Sequence, residues 1–364
     1  MGIALASIFR DEGNGIPAKV SALFSSGISF LLSLHLWFNF DSSTADLQMV
    51  ERIPWISQFN IEYFLGLDGL NLFFFLIITF ITPLALLGSW NVAKSNWQFQ
   101  IQMLLLQIGM LGCFAAMDVV LFYVFFEVML VPMYLLIGIW GGPNRLYATI
   151  KFFIYTMVGS LLMLISLLYT ANIYLDLNGA WSFSVFDWYG MQIPPETQFW
   201  LFLGFAAAFA VKIPLFPLHT WLPDAHYEAP TAGSVQLAAV MLKFGPYGFL
   251  RFAMPIFPAA VFDLTPIFMV LALIGIIYGG LVAMVQPQIK RLIAYSSVAH
   301  MGYIVLGLFA LNIQGLSGSW IQMINHAIVT GALFLTVGMI YERTHTQEIS
   351  AYGGGAHTMP KFAV

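Results

Sequence analysis

Three ionisable side chains, Glu127, Lys212 and Lys243, lie within stretches of sequence that are otherwise almost entirely apolar. A carboxylic acid and an amine can each bind and release a proton, and a nearby carboxylate increases the proton affinity of an amine. Titratable groups in apolar surroundings are typical of proton or ion relays. An ion pair that only joins two helices is the simpler interpretation, but it leaves one lysine without a partner.

Histidines extend this set, because imidazole accepts and donates protons near neutral pH. His300 lies in the apolar segment IAYSSVAHMGYIVLGLFAL, and His326 follows Asn325 in a later one. His219 comes seven residues after Lys212. We expect His219, His300 and His326 to belong to the relay, although a histidine in an apolar helix can also serve packing alone.

Prolines next to the charges predict free backbone carbonyls within these helices. Pro132, Pro214 and Pro246 follow the three charged residues by five, two and three positions. A proline inside a helix removes the hydrogen bond to the carbonyl four residues earlier, so polar backbone groups are freed beside each charge. At membrane depth such groups are tolerated only where protein or water satisfies them.

One segment holds four prolines within KIPLFPLHTWLPDAHYEAPTAGSV (212–235), which no continuous helix can accommodate. We expect a discontinuous helix near 199–236 that breaks at about 213–217. The irregular part would carry His219, Asp224 and His226, together with Glu228. The two histidines could also form a pair in an interfacial loop, and their spacing does not match that of a usual metal site.

The amino-acid composition indicates whether these residues belong to a soluble protein or to a membrane protein. Of the 364 residues, 60% are hydrophobic and 8% are charged, and the mean hydropathy is +0.85. A soluble domain carries about 25% charged residues, so the chain is a polytopic membrane protein. The net charge of −4 gives no basic surface for nucleic acid. Cys113, the single cysteine, excludes an internal disulfide and a four-cysteine cluster.

Ten segments are long and apolar enough to cross a bilayer as helices of about 20 residues. They fall at about 17–40, 66–93, 99–117, 119–141, 148–174, 198–217, 230–252, 266–286, 291–313 and 319–341. At 1.5 Å per residue, the three charges lie roughly 12 to 20 Å from the helix ends, near the bilayer midplane.

The cations of the loops predict the orientation. With the N-terminus inside, nine fall on the cytoplasmic side: Arg10, Lys19, Lys94, Arg145, Lys151, Lys290, Arg291, Arg343 and Lys361. Only Arg52 and Arg251 fall outside, where the loops at 41–65 and 175–197 are acidic. The sequence has no glycine-rich nucleotide loop and no paired histidines suited to haem. These observations favour transport machinery without a cofactor of its own.

The segments FFEVMLVPMYLLIGIWGG (125–142), FAVKIPLFPLHTWLPDAHYEAPTAGSV (209–235) and LAAVMLKFGPYGFLRF (237–252) resemble the antiporter-like proton-pumping subunits of NADH:quinone oxidoreductase, respiratory complex I. KRLIAYSSVAHMGY (290–303) and the run at 322–346 extend the resemblance over nearly the whole chain. It implies that Glu127 and Lys212 match the family's coupled glutamate–lysine pair. Lys243 and His300 then match residues of its central polar axis.

The resemblance also implies redox-coupled proton translocation by a multi-pass protein, most simply in a bacterial inner membrane. NADH, FMN, iron–sulfur clusters and quinone would be bound by other subunits. The implied partners are antiporter-like paralogues and a long lateral helix, with the lipid bilayer around them. Two alternatives stay open: a subunit of a multisubunit cation/proton antiporter, and a membrane scaffold that does not transport.

The expected fold is an all-α, antiporter-like transmembrane bundle of about ten helices in a single membrane domain, 1–364. Peripheral helices would occupy 17–93, a first five-helix repeat 99–252, and the start of a second, inverted repeat 266–341. Family members have about fourteen helices, so we expect a partial chain in which 1–9 represents the first helix and the second repeat is incomplete. The direct test of the relay is whether Glu127 and Lys212 lie within a few ångströms or are joined through one water.

Overall fold

The computed structural model describes residues 2–8, 15–91 and 96–360, which form a helical bundle with one β-hairpin. In chain order the elements are α1 (Gly2–Ile8), α2 (Ile16–Phe38), β1 (Gln48–Ile56), β2 (Ile61–Leu67), α3 (Leu72–Gly88), α4 (Asn96–Ala115), α5 (Val119–Val128), α6 (Leu130–Trp140), α7 (Arg145–Asn178), α8 (Val185–Trp188), α9 (Pro195–Lys212), α10 (Trp221–Glu228), α11 (Thr231–Ala239), α12 (Phe244–Gly248), α13 (Met254–Ile256), α14 (Pro258–Met284), α15 (Ile289–Leu308), α16 (Ile313–Thr344) and α17 (Gly355–Thr358). Short 3₁₀ turns lie at Ser57–Phe59, Met241–Lys243 and Ile349–Tyr352, and a π turn at Phe249–Ala253.

The expected membrane bundle is confirmed. Among the described helices, seven are long and apolar enough to cross a bilayer: α2, α4, α5 with α6, α7, α14, α15 and α16. Helix α3 is apolar but shorter, at 17 residues. The remaining two predicted spans are the interrupted ones. Of the cytoplasmic cations, Arg10, Lys94 and Lys361 lie outside the described residues, as does part of the segment 1–9. The division into repeats stays a prediction.

The predicted break after Lys212 is present, because α9 ends at that residue and α10 begins at Trp221. The prediction of an irregular segment beyond the break was wrong in part: α10 is helical, since Pro223 lies in its first turn, where a missing N–H costs nothing. Helix α10 ends where Ala229 adopts extended backbone before Pro230, as residues that precede proline prefer.

The segment 230–252, expected as one helix, is also interrupted. It consists of α11, a 3₁₀ turn that ends at Lys243, α12 and the π turn. Pro246 has no N–H to donate to the carbonyl of Leu242, so regular helical bonding cannot continue through this point. The interruption therefore places Lys243 at the junction of two helical pieces.

The hairpin β1–β2 was not predicted, because residues 41–65 were interpreted as an outer loop. The strands pair antiparallel, and Asn60 occupies a left-handed conformation (φ 54°) in the connection. The Met117 N–H donates to the Phe64 carbonyl at 2.9 Å, and the Glu62 N–H donates to Asp118 Oδ2 at 3.0 Å. Asp118 also caps α5 through the N–H groups of its first turn, so the hairpin fixes the start of the helix that carries Glu127.

Burial divides the bundle into an interior and a lipid-facing surface. Residues 231–249 of the second interrupted helix are buried almost without exception, with α11 packed between α3 and α16. Large apolar side chains on the outer helices are exposed instead, for example Leu31, Ile165 and Phe262 on α2, α7 and α14. Exposed apolar side chains on spanning helices face acyl chains, so the interrupted helices form the core.

Candidate functional site

Each of the three charged residues lies at a helix interruption. Glu127 comes two residues before Met129, where α5 ends and α6 begins. Lys212 is the last residue of α9, and Lys243 is the last residue of a 3₁₀ turn. Both lysines are almost completely inaccessible, with 1% and 0% of their surface exposed. Of the carbonyls that the prolines were expected to free, that of Ala210, close to Lys212, instead accepts from the Leu215 N–H at 2.9 Å.

Lys243 is directly bonded to one of the candidate histidines. Its Nζ donates to the Ala238 carbonyl at 2.5 Å and lies 2.7 Å from His326 Nδ1. When the lysine is protonated, this ring nitrogen must be the acceptor, and the ring then carries its proton on Nε2. Nε2 of His326 is buried without a hydrogen-bond partner. The bond joins the second interrupted helix to α16.

His300 continues the row on α15. Its ring centroid lies 5.6 Å from that of His326, and its Nδ1 is 3.3 Å from the Gln322 amide nitrogen. His300 is exposed on the surface of the described chain, whereas His326 is buried. Lys243, His326 and His300 therefore form a row that runs from the buried interior to the surface of α15.

Glu127 and Lys212 are electrostatic neighbours but do not form a direct ion pair, since the ion pairs among the described residues involve other groups. The Glu127 Oε1 atom is buried without a hydrogen-bond partner, and the Ser160 hydroxyl interacts with the same carboxyl group. The Lys212 ammonium lies 4.7 Å from the centroid of the Phe126 ring. A link through one water stays a prediction.

His219 is buried in the break between α9 and α10. Its ring stacks on Phe216 at 5.6 Å and meets the ring of Tyr278 edge-on at 5.1 Å. Neither ring nitrogen has a hydrogen-bond partner of good geometry. The structure does not bring His219 into contact with Lys243 or His326.

His226 is the residue whose placement the sequence interpretation missed. It is fully buried and stacked on Phe334 at 4.4 Å, and neither ring nitrogen has a hydrogen-bond partner among the described residues. Lys243 and Lys290 are close enough to His226 to act on its ring electrostatically. Lys290 was assigned to a cytoplasmic loop but is 4% exposed, and its Nζ donates to the Ala229 carbonyl at 2.9 Å.

A signal for the burial of Lys290 exists in the sequence. It precedes Ala294, Ser297 and Met301 at helical spacing, and all four lie on the buried face of α15. His226 comes two residues before Glu228 on α10, and Glu228 and Lys290 both line a cleft of 470 Å³. Residues 140–143, 290 and 341–348 meet at this cleft, so it opens on the side predicted to be cytoplasmic.

An acidic residue holds the interrupted helix in place at the same side. Asp224 on α10 accepts from Lys151 of α7 at 2.8 Å and from Arg291 of α15 at 3.1 Å. Glu228 accepts from the Asn144 N–H at 3.0 Å. These contacts fix α10, and hence the position of His226, against three other segments.

The arrangement supplies side chains that can carry protons. Within residues 2–8, 15–91 and 96–360, no group of three or more His, Cys, Asp or Glu side chains is arranged to hold a metal ion. Amine, imidazole and carboxyl groups near one another in a dry interior can exchange protons and alter one another's proton affinity.

Known proteins share both the sequence and the fold of this chain. Residues 116–364 match the family model described as NADH:quinone oxidoreductase/Mrp antiporter, transmembrane. The chain is 47% identical to NADH-quinone oxidoreductase subunit M of Rhodobacter capsulatus, covering 99% of this chain and 72% of that protein.

Among solved structures, a chain of respiratory complex I from Thermus thermophilus with bound NADH superposes with a TM-score of 0.89 at 35% identity, covering 100% of this chain and 74% of that one. A chain of the Mrp complex from Dietzia superposes with a TM-score of 0.79 at 25% identity, and the match covers 96% of this chain and 38% of that one.

Proposed function

Because this chain belongs to the NADH:quinone oxidoreductase/Mrp antiporter family, and within it to the subunit M and chain 4 group of NADH:quinone oxidoreductase, we propose that it moves protons across the membrane through its buried lysine–histidine row. It is an integral multi-pass subunit of respiratory complex I. We propose a bacterial inner membrane as its location.

The observation that carries the proposal is the bond between Lys243 Nζ and His326 Nδ1 at 2.7 Å in a fully buried position. A protonated amine near the bilayer midplane costs at least about 2.5–3.5 kcal/mol, so a purely structural lysine is unfavourable there. A lysine that shares a hydrogen bond with an imidazole can instead pass its proton to the ring when its own affinity falls. His300 is the next acceptor along the row.

Glu127 provides the means of changing the proton affinity of a lysine, that of Lys212. A carboxylate stabilises a nearby ammonium group, whereas the apolar surroundings favour the neutral amine. When the carboxylate is protonated or moves away, a lysine in the position of Lys212 is left in apolar surroundings and releases its proton. Within the described residues Lys212 Nζ has no hydrogen-bond partner and lies over the Phe126 ring, so no acceptor atom holds the ammonium group, which supports this role.

The energy for pumping comes from elsewhere in the complex. Moving one proton against 100 mV needs about 2.3 kcal/mol, which redox chemistry must supply. We propose that NADH, FMN, iron–sulfur clusters and quinone are bound by other subunits. We further propose that this chain contacts antiporter-like paralogues and a long lateral helix, through which the drive reaches Glu127.

The experiment uses the complete complex in proteoliposomes, with NADH oxidation and proton uptake into the vesicles measured together. Lys212→Met and Lys243→Met each remove one amine with little change in side-chain length, and both should abolish proton uptake. Lys19→Met is the matched control, since Lys19 lies at the cytoplasmic end of α2 and contacts Trp90 at 5.6 Å, away from the row.

Undiminished pumping by both variants would favour the scaffold alternative and refute the proposal. Purification of the chain with cation/proton antiporter subunits and without quinone-reducing subunits would favour the antiporter alternative.

A further inference from the structure

A second buried charge cluster lies at the opposite, outer end of the helix that carries Lys243. Arg251 is 4% exposed, and its Nη2 donates to Asp68 Oδ2 at 2.5 Å. Its Nε donates to the Tyr247 hydroxyl at 3.3 Å. Asp68 in turn lines an outer cleft of 830 Å³ between α2 and α3. The sequence interpretation counted Arg251 at the outer end of the span 230–252, and the residue is part of the buried core.

The cluster lies on the outward route from Lys243. Tyr247 and Arg251 follow Lys243 toward the outer end of the interrupted helix, and the bond from Arg251 Nε to the Tyr247 hydroxyl brings these two side chains together. Aromatic rings of Phe114 and Phe244 fill the space beside them, with ring centroids 4.9 Å and 4.4 Å apart in the pairs Phe114–Tyr247 and Phe114–Phe244. A proton that left Lys243 for the outer cleft along this helix would have to pass Tyr247 and Arg251.

The hydrogen bonds of the cluster run in a direction that cannot relay this proton. The Tyr247 hydroxyl donates to the Phe114 carbonyl at 2.8 Å and accepts from Arg251. A proton relay needs groups that both accept and donate, whereas a guanidinium group only donates and does not lose its proton in proteins. The Tyr247 oxygen is occupied by Arg251, and its proton is committed to a backbone carbonyl.

We propose that Arg251, held by Asp68 and Tyr247, is a barrier that closes the outer side of the bundle to protons carried by Lys243. Fixed cationic groups exclude protons and cations from other membrane pores in the same way. The cytoplasmic side differs, because among the described residues neither ring nitrogen of His226 has a hydrogen-bond partner, and Glu228, two residues further along α10, lines a cleft there. This proposal rests on the proton-carrying role of Lys243, and it adds the reason why the carried proton does not leak outward.

The competing explanation is that the Arg251–Asp68 pair only ties the turn before α3 to the π turn. Two neutral variants separate these explanations. Arg251→Gln and Asp68→Asn both break the ion pair, so a structural role predicts similar effects. A barrier role predicts different proton flow in the two variants. Asp68→Asn keeps the guanidinium group, whereas Arg251→Gln replaces it with an amide that can both accept and donate hydrogen bonds.

The experiment measures passive proton flow in proteoliposomes that contain the complete complex, without NADH. A potassium gradient with valinomycin sets the membrane potential, and an enclosed pH-sensitive dye reports the flow. We expect Arg251→Gln to raise the flow severalfold and Asp68→Asn to leave it at the wild-type level with a lower thermal stability. Arg251→Met serves as a second neutral variant if the glutamine variant does not assemble. Arg52→Gln is the matched control, because Arg52 pairs with Glu62 on the exposed hairpin.

The route is tested by combining Arg251→Gln with Lys243→Met, which should return the flow to the wild-type level. Equal flow in wild type and both Arg251 variants would overturn the barrier. A leak that persists without Lys243 would overturn the route. Because no NADH is present, either failure leaves the pumping result for Lys243→Met unaffected, so the two proposals can fail separately.

Discussion

Replacement of His326 by leucine removes the acceptor that holds Lys243. The bond between Lys243 Nζ and His326 Nδ1 is 2.7 Å long, and the only other hydrogen bond of this ammonium group within the described residues goes to the Ala238 carbonyl. Leucine fills similar space but accepts no hydrogen bond. A buried ammonium group then keeps one acceptor for three donors.

The magnitude follows from the type of bond. A hydrogen bond to a charged group contributes about 1.5–3 kcal/mol, and its loss acts only on the protonated lysine. At 1.36 kcal/mol per pH unit, the pH at which pumping is half-maximal on its alkaline side should fall by about one to two units. The direction follows because the charged form loses a stabilising contact and the neutral form does not.

The assay is the pH dependence of NADH-driven proton uptake in proteoliposomes that contain the complete complex. His326→Asn is the matched control, since the asparagine oxygen can take the place of Nδ1 as acceptor while the imidazole is lost. We expect the leucine variant to show the shifted profile and the asparagine variant to keep the wild-type midpoint with a lower maximal rate. Superimposable profiles for wild type and His326→Leu would refute the reasoning.

Two further predictions concern stability. A Cβ atom on Gly204 would lie 2.0 Å from Ser166 Oγ, whereas one on Gly280 would meet nothing within 4 Å. Gly204→Ala should therefore lower the thermal denaturation midpoint by the equivalent of about 1–3 kcal/mol, and Gly280→Ala should not lower it. Equal midpoints for the two variants would contradict this prediction. Burial raises the pKa of Asp118 from 3.8 to about 6, so its contribution to stability is present below about pH 4 and is lost as the pH rises through about 6. In Asp118→Asn the thermal denaturation midpoint should change less with pH between about 4 and 6 than in the wild type. An unaltered slope over this pH range would contradict the prediction.

The position of each charge along its apolar segment and the helix break after Lys212 could be predicted from the sequence. Depth along a helix depends on residue number alone, at 1.5 Å per residue. The effect of Pro214 and Pro246 is equally local, because each lacks the N–H that a continuing helix needs. The break after Lys212 therefore lies where the sequence indicated, whereas 230–252 was expected as one helix and is interrupted at Lys243.

Local patterns indicated the other features less well. The hairpin forms partly because the N–H groups of Glu62 and Met117 bond across different segments, which no window of sequence reveals. The segment after Lys212 reads as irregular from its prolines, yet Pro223 occupies the one turn of α10 that tolerates it.

The sequence by itself determined that titratable groups lie within a membrane bundle, since apolar length and charge position are properties of each segment alone. Only the tertiary structure decided which of them meet: Lys243 bonds His326 across 83 positions of sequence, and Arg251 bonds Asp68 across 183. Such contacts depend on how each helix is rotated about its axis and which neighbour it packs against. Side-chain packing over the whole core fixes both, and no single segment contains that information.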